Sequence, residues 1–454
     1  MPSRTFPWLR ALALAGAVLL VTTAAAPSSV VRPTKFDYTT ATLPNGLQVV
    51  TLEDHATPIA HLAIWYHVGS KDERAGRTGF AHLFEHLMFK GSRNVAADAH
   101  PSMITSVGGQ SNAFTDEDTT VFWETVPSNY LPLVLWLEAD RMASLDITAD
   151  KFANEREVVK EERRQRIDNQ PYGGLNEMLY DHAFTTHPYK HEPIGSLQDL
   201  EAASVDDVRA FHNTYYVPNN ATVALVGDFD TKDAMALVTQ YLGRVPRGQP
   251  VPRDIPAEPE QTAPRASTVD APWPLPVVAV AYHITADGNP DSYPLYVAAK
   301  ILGDGDSSRI HRSLVYEKQI AAAAVAEAKL VEHPNLFSAL AIVQSGHTPA
   351  EVQQALISEI ETLRTAPVTA AELDRAKRQF ARDYILGRET MQDKAVQLAH
   401  AIVIHHDIKT ADGEFDLFQH VTAVDVLRVA QKYFRPENRT VLTVLPSKAG
   451  GGAR

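Results

Sequence analysis

Hydrophobic and polar residues follow two different periods along this 454-residue chain. Alternating, β-branched-rich patterns in "GLQVVTLED" (46–54), "IAHLAIWYHVGS" (59–70) and Pro276–Ile284 predict strands. Apolar residues that recur every three to four positions in Leu131–Ser144 and Ala370–Val403 predict helices. Both halves of the chain combine early strands with long helices, which indicates an α+β fold.

One segment occurs twice, once in each half of the chain. Asp207–Val226 aligns without gaps to Asp425–Val444 at an offset of 218, and eight of 20 positions are identical. In both copies a helical pattern ends at a proline and an asparagine, and a β-branched strand follows. Two copies favour a duplicated domain over a solenoid, which needs three or more repeats.

Proline divides the two copies, because nine of the 31 residues from Pro246 to Pro276 are prolines. Such a segment cannot hold a regular helix and is typical of an extended linker. The predicted fold is therefore two duplicated α/β-sandwich-like domains of about 200 residues each. We place the domains at 36–245 and 276–446, with the linker at 246–275.

The N-terminal residues are typical of a secretory signal peptide at 1–26. Arg4 and Arg10 precede an apolar run, Ala11–Val21, and small residues follow at Ala24–Ala26. The run is short for a membrane span, although an uncleaved anchor is the alternative. We expect a periplasmic protein that is not stably inserted in the membrane after cleavage.

Composition and net charge exclude several kinds of chemistry and several classes of partner. The absence of cysteine excludes disulfides, thiolate catalysis and cysteine-ligated zinc. A net charge of −13 argues against nucleic acid or an anionic membrane surface as the main partner.

Three ionisable residues interrupt an apolar run in "GFAHLFEHLMFKGS" (79–92). His82 and His86 are four residues apart, so a helix presents both imidazoles on one face, where they can bind one metal ion. Glu85 lies beside the second histidine and can act as general base on an activated water. This His-x-x-Glu-His order is the inverted zinc-peptidase motif. The alternatives are two exposed histidines that flank an ion pair, or satisfied core histidines.

A second candidate helix, Asn154–Arg166, carries several glutamates. Most of them are expected to form a solvated charged face. Glu155 and Glu162 are seven residues apart, however, and therefore share one face of the helix.

With these motifs the chain resembles the pitrilysin/insulinase family of zinc peptidases, in the short-chain branch of mitochondrial processing peptidase. The segment "EREVVKEE" matches the family's second motif, and its final glutamate lies 76 residues beyond His86, as in that family. The resemblance covers nearly all of residues 36–446. It implies one zinc ion per chain, held by His82, His86 and Glu162, with Glu155 orienting a histidine.

The segment Gly108–Pro127 resembles the family's edge strand beside the zinc ion. In the family this edge accepts the substrate as an added β-strand, main chain to main chain. The resemblance implies that Asn112, Ala113 and Thr115 face the substrate. The alternative is a plain hairpin.

The second domain departs from the family pattern. Its copy of the motif has Pro294, Val297 and Ala298 at the places of the two histidines and the glutamate, so we expect no zinc site there. Active relatives carry an Arg and a Tyr that bind the substrate, but this chain has Tyr316 and Ala323. Tyr316 can still donate a hydrogen bond. The expected partner is a homologous subunit that supplies the missing pair, with a homodimer as the alternative.

The resulting hypothesis is a zinc-dependent endopeptidase that hydrolyses peptides or short unfolded segments, as the catalytic subunit of a dimer. The alternatives are a non-catalytic scaffold subunit and a peptide-binding chaperone of the same fold. The sequence does not identify the natural substrate. A second histidine-rich segment, His400–His406, is interpreted as helix surface.

Overall fold

The computed structural model describes residues 31–447. The predicted signal peptide lies outside the described residues. Within residues 31–447, no helix is both long and apolar enough to cross a membrane.

The first half of the described chain builds one six-stranded sheet with helices on its faces. Its strands are β1 (Tyr38–Thr42), β2 (Gln48–Glu53), β3 (Ile59–Tyr66), β4 (Gln110–Thr115), β5 (Thr120–Pro127) and β6 (Ala221–Gly227). Its helices are α1 (Phe80–Leu87), α2 (Ala99–Ser106), α3 (Leu131–Ser144), α4 (Ala149–Arg163), α5 (Leu175–Ala183), α6 (Leu197–Ala202), α7 (Val205–Tyr215) and α8 (Thr231–Tyr241). The strand order is β1-β2-β6-β3-β5-β4, so β4 is an edge strand.

The second half builds a five-stranded sheet of its own. Its strands are β7 (Arg265–Ala271), β8 (Val277–His283), β9 (Ala321–Ala328), β10 (Leu336–Val343) and β11 (Arg439–Pro446). Its helices are α9 (Ser292–Gly303), α10 (Pro349–Thr365), α11 (Ala370–Leu386), α12 (Met391–Val403), α13 (Thr410–His420) and α14 (Ala423–Tyr433). The strand order is β7-β11-β8-β10-β9. Two sheets with helices around them confirm the predicted α+β fold.

The duplication is visible at atomic level. α7 and α14 have the same length and start at the predicted offset of 218, and a short turn leads each into β6 or β11. Asn220 donates to the carbonyl of Tyr215, and its counterpart Asn438 donates to the carbonyl of Tyr433. These side chains satisfy carbonyls at the helix ends, which explains why the repeat retains asparagine.

Each sheet is covered on one face by a helix from the other half. Alternate residues of β3 point to opposite faces: Leu62 and Ile64 join the main core of the first half, whereas Ala63 and Trp65 pack with α12. In return, α5 packs against the second sheet. The halves therefore bury apolar surface against each other, which is the dominant favourable term in such contacts.

Two predicted segments differ from the structure in detail. The helical stretch 370–403 is two helices, because Thr390 caps α12 by accepting from the Asp393 N–H and a new helix starts there. The segment 246–264 has no helix or strand, but β7 lies inside the range predicted as linker. Prolines flank β7 without interrupting it, and β7 pairs in parallel with β11 at the sheet edge. The domain boundaries at 245 and 276 stay a prediction.

A carboxylate anchors the proline-rich segment to the first half. Glu258 accepts hydrogen bonds from the backbone N–H groups of Thr185, Thr186 and His187, at 2.8–3.0 Å. Burial opposes its ionisation, but these bonds outweigh the cost and lower the pKa of Glu258 from 4.5 to about 2. A carboxylate with a lowered pKa stabilises the fold above its unfolded pKa, and this contribution is lost as pH falls through the folded pKa.

We expect Glu258→Gln to lower the free energy of unfolding at pH 7 by about 1 kcal/mol, since solvent screening weakens the interactions of a partly exposed charge. The difference from the wild type should shrink below pH 4.5 and vanish only below pH 2, where the Glu258 carboxyl is protonated and both side chains are neutral. Urea unfolding at pH 7, 4.5 and 3 measures it. Glu260→Gln, an exposed neighbour in the same segment, is the control. A difference that is the same at all three pH values would contradict the prediction.

Candidate metal and peptide-binding site

Helix α1 fixes the orientation of the two motif histidines. Phe80, Leu83, Phe84 and Leu87 are buried in the core of the first half, so the opposite face of the helix must point away from it. His82, Glu85 and His86 occupy that face, and each is partly buried. The four-residue spacing therefore places both imidazoles on one face of the helix, as predicted. The imidazole centroids lie 4.9 Å apart, with the rings nearly perpendicular.

The start of α1 is held by contacts that sequence analysis did not find. Glu73 is buried and accepts hydrogen bonds from the N–H groups of Gly79 and Ala81, at 2.9 and 2.8 Å. Gly79 has φ +90°, and a Cβ there would lie 2.7 Å from the carbonyl oxygen of Ile194. Glu73 satisfies N–H groups that a helix start leaves free. Glu73 lies six residues before Gly79 and does not belong to a local capping motif. Its role at the start of α1 is therefore visible only in the folded structure.

Helix α4 brings the predicted glutamates to the histidines. Glu162 Oε1 lies 3.7 Å from His82 Nε2, and Glu162 Oε2 lies 3.2 Å from His86 Nε2. Glu155 lies about two turns earlier on the same face of α4 and is buried. Its Oε2 lies 3.5 Å from His86 Nδ1, and its Oε1 lies 3.1 Å from Lys90 Nζ. The structure thus brings together all four residues of the predicted ligand and orienting set.

These residues fit a zinc ion. One donor atom from each of His82, His86 and Glu162 can be chosen so that all three lie within 4.8 Å of one another. Two imidazole nitrogens and one carboxylate oxygen are a common zinc donor set that leaves a coordination position open. Arg166 also contacts Glu162, but its own side chain is largely exposed. The donor set therefore has the chemistry and the convergence that a catalytic zinc site needs.

Burial and charge set the electrostatics of the site. Burial, aided by the charge of His86, lowers the pKa of His82 to about 4. Burial also opposes protonation of His86, but its hydrogen bonds to Glu155 and Glu162 prevail and raise its pKa to about 9. The pKa of the Glu85 carboxyl is raised by burial. The glutamates concentrate negative charge at the point where the donor atoms converge, which favours a cation there.

The edge strand β4 lies next to this helix. It pairs with β5 on one side, Asn112 opposite Trp123 and Ala113 opposite Phe122, and no strand of residues 31–447 pairs with its other side. Thr115 ends the strand, and its hydroxyl donates to Glu85 Oε2 at 2.7 Å. The predicted substrate edge and the predicted general base are therefore directly connected.

The second-half residues that were compared with the family's substrate-binding and zinc-binding positions are not part of the cluster of His82, His86 and Glu162. Tyr316 is 77% exposed and, among residues 31–447, makes no side-chain hydrogen bond. Ala323 is exposed on the edge strand β9. Pro294, Val297 and Ala298 are buried in α9, which starts with Ser292, the counterpart of Phe80 in the predicted alignment. Apolar side chains thus occupy the second half's copy of the metal-binding face.

Comparison with known proteins gives matches along most of the chain. The family model described as "Insulinase (Peptidase family M16)" matches residues 48–195, and "Peptidase M16 inactive domain" matches residues 202–380. The chain is 32% identical to "Zinc protease PqqE" of Helicobacter pylori over 89% of this chain and 92% of the relative. It is 24% identical to "Probable mitochondrial-processing peptidase subunit beta" of Arabidopsis thaliana, over 89% and 78%.

Solved structures agree. A crystal structure of a protease from Helicobacter pylori superimposes with a TM-score of 0.87 and 31% identity, covering 91% of this chain and all of the other. The match to the inactive-domain model begins at residue 202, in the first half, but most of it lies in the second half, whose counterpart helix lacks the histidines and the glutamate.

Proposed function

The chain belongs to the insulinase family of metallopeptidases, family M16, and on this premise we propose that it is a zinc-dependent endopeptidase. Its substrates would be peptides or short unfolded segments, and it would act as the catalytic subunit of a dimer. The observation that carries the proposal is the convergence of His82, His86 and Glu162, with Glu85 on the same face of α1. The spacing of the motif residues alone does not require such convergence; the packing of α4 against α1 supports it.

A zinc ion at this position would polarise the scissile carbonyl and lower the pKa of a water molecule that it binds. The carboxylate of Glu85 accepts a proton from the attacking water and later donates it to the leaving amine, so that no proton is lost. The hydrogen bond from Thr115 fixes the direction of that carboxylate. Glu155 keeps the imidazole of His86 in place through Nδ1.

Substrate would bind as an additional strand on β4. The free side of an edge strand offers unpaired backbone groups to an extended peptide. In this binding mode most hydrogen bonds involve the main chain of the peptide and few depend on its side chains. This mode suits a peptidase that cleaves short unfolded segments of varied sequence. Asn112 and Ala113 of β4 would then contact the bound peptide close to Glu85.

We further propose that a homologous subunit completes the enzyme. Tyr316 and Ala323 replace the expected Arg and Tyr, and an oxyanion-stabilising donor typically contributes about 3–4 kcal/mol to the transition state. A relative is named as one subunit of a mitochondrial-processing peptidase, which favours assembly from two chains. The second half would form the other wall of the substrate chamber. With the predicted signal peptide at 1–26, the site of action would be the periplasm.

Cleavage of a quenched fluorescent peptide library by the chain from residue 27 onward tests the proposal. We expect turnover that a chelator abolishes and zinc restores, either from the chain alone or after a homologous subunit with the Arg/Tyr pair is added. Zinc binding without turnover in both cases would contradict the peptidase and favour the scaffold. Binding of unfolded peptides that prevents their aggregation, without cleavage, would identify the chaperone.

A further inference from the structure

A second set of two histidines and a carboxylate converges in the other half of the protein. His405 Nε2 lies 3.0 Å from Asp287 Oδ2, and His400 Nε2 lies 3.7 Å from the same oxygen. One donor atom from each of the three residues can again be chosen with all pairs within 4.8 Å. We refer to Asp287, His400 and His405 as the Asp287 cluster.

The distances within the Asp287 cluster are similar to those of the candidate zinc site. The imidazole centroids of His400 and His405 are 5.0 Å apart at an interplanar angle of 78°, against 4.9 Å and 78° for His82 and His86. The two nitrogen–carboxylate distances are 3.0 and 3.7 Å, against 3.2 and 3.7 Å. The same donor types thus stand at similar distances without a common sequence motif. Both histidines of the cluster face one oxygen of Asp287, whereas each histidine of the first site faces a different oxygen of Glu162.

Two of the remaining polar atoms of the cluster, on Asp287 and His405, have partners that orient its donors. Asp287 Oδ1 accepts from the N–H of Gly288 at 2.8 Å, which leaves Oδ2 for the histidines. His405 Nδ1 bonds to the hydroxyl of Thr410 at 2.9 Å, which turns Nε2 toward Asp287. Such outer partners are typical of metal-binding histidines and carboxylates.

No fixed cation already fills the cluster. Among residues 31–447, no lysine or arginine forms a salt bridge with Asp287. A third group of acids and histidine, His100 with Glu124 and Glu138, shows the contrast, because there the guanidinium of Arg141 contacts both glutamates. Arg141 already supplies the cation for the group around His100, whereas no lysine or arginine side chain of residues 31–447 does so for the Asp287 cluster.

Exposure provides a route to the cluster. The side chains of His405 and Asp287 are 3% and 13% exposed, while that of His400 is 37% exposed. An ion could enter past His400 and be held by two largely buried donors. The expectation that His400–His406 is plain helix surface is therefore wrong for His405, which lies beyond the end of α12 and turns inward.

We propose that Asp287, His400 and His405 bind a second divalent transition-metal ion, separate from the candidate zinc site. Imidazole and carboxylate donors suit zinc and other ions of this class. His400 belongs to α12, which packs on the first sheet, whereas Asp287 lies in the loop between β8 and α9 of the second sheet. The ion would link α12, which packs on the first sheet, to the loop between β8 and α9 of the second half. It would thereby stabilise the contact between the two halves.

Zinc binding to a chain whose first site is silenced tests the proposal. In a His82→Gln/His86→Gln chain, competition with a chromophoric chelator should detect one bound zinc ion, and zinc should raise the Tm. Adding His405→Gln should weaken this binding at least about tenfold and reduce the rise in Tm, since a ligand is lost. His420→Gln, an exposed histidine of α13, should change neither quantity.

His400→Gln provides a second variant in case His405→Gln disturbs the fold, which circular dichroism would reveal. We expect it to weaken binding in the same background. No zinc bound to the silenced chain would show that the cluster is only an ion pair and would overturn the proposal. Binding that both substitutions leave unchanged would overturn it as well. Neither result depends on whether the protein cleaves peptides.

Discussion

Glu85→Gln is expected to lower kcat for peptide cleavage by roughly 10²–10⁴-fold, the usual contribution of a general base. The amide has the size of the carboxylate and can still accept the hydrogen bond from Thr115, so α1 and β4 should keep their positions. It cannot take a proton from water, however. Because Glu85 is not among the converging donors, the zinc content should stay that of the wild type.

Steady-state cleavage of one fluorogenic peptide, with zinc measured on the same preparations, checks this prediction in whichever assembly is active. Glu157→Gln is the matched control, because Glu157 is an exposed glutamate of α4 that interacts with Lys160. Its kcat should equal that of the wild type. A Glu85→Gln protein that keeps more than about a tenth of the wild-type kcat would assign the proton transfer to another group.

The sequence could predict features whose physical cause is local. A helix spaces its side chains regularly, so the four-residue interval in α1 and the seven-residue interval in α4 already indicate which side chains share a face. The offset of 218 likewise predicts the bounds of α14 from those of α7, because a duplicated core keeps its packing pattern.

Features that depend on contacts between distant segments could not be predicted in this way. Glu73 binds backbone groups of a helix that begins after a loop, and no local motif marks it. Asp287 stands more than 100 residues before His400, and the histidines straddle a helix end, which hides their common direction. The break before α12 did have a local signal, since Thr390 and Asp393 form a capping box.

Loss of the proposed third ligand should act on affinity for zinc, not on proton transfer. We expect Glu162→Gln to weaken zinc binding at the first site by at least about 100-fold, because a neutral amide replaces the carboxylate ligand that both histidines face. Glu155→Gln should weaken it less, by roughly 10–100-fold, as is usual for a residue that orients a ligand. Turnover at limiting zinc should fall in the same order.

Glu161→Gln is the matched control, because Glu161 is the exposed neighbour of Glu162 and pairs with Arg164. Chelator competition, performed in a His405→Gln background so that the Asp287 cluster does not contribute, measures all three variants. If Glu162→Gln bound zinc as tightly as Glu161→Gln, the third ligand would have to be another group. Glu85→Gln and Glu162→Gln therefore separate the two roles. Glu85→Gln should leave zinc bound while kcat falls, whereas excess zinc should restore part of the activity only in Glu162→Gln, where the affinity for zinc was lost.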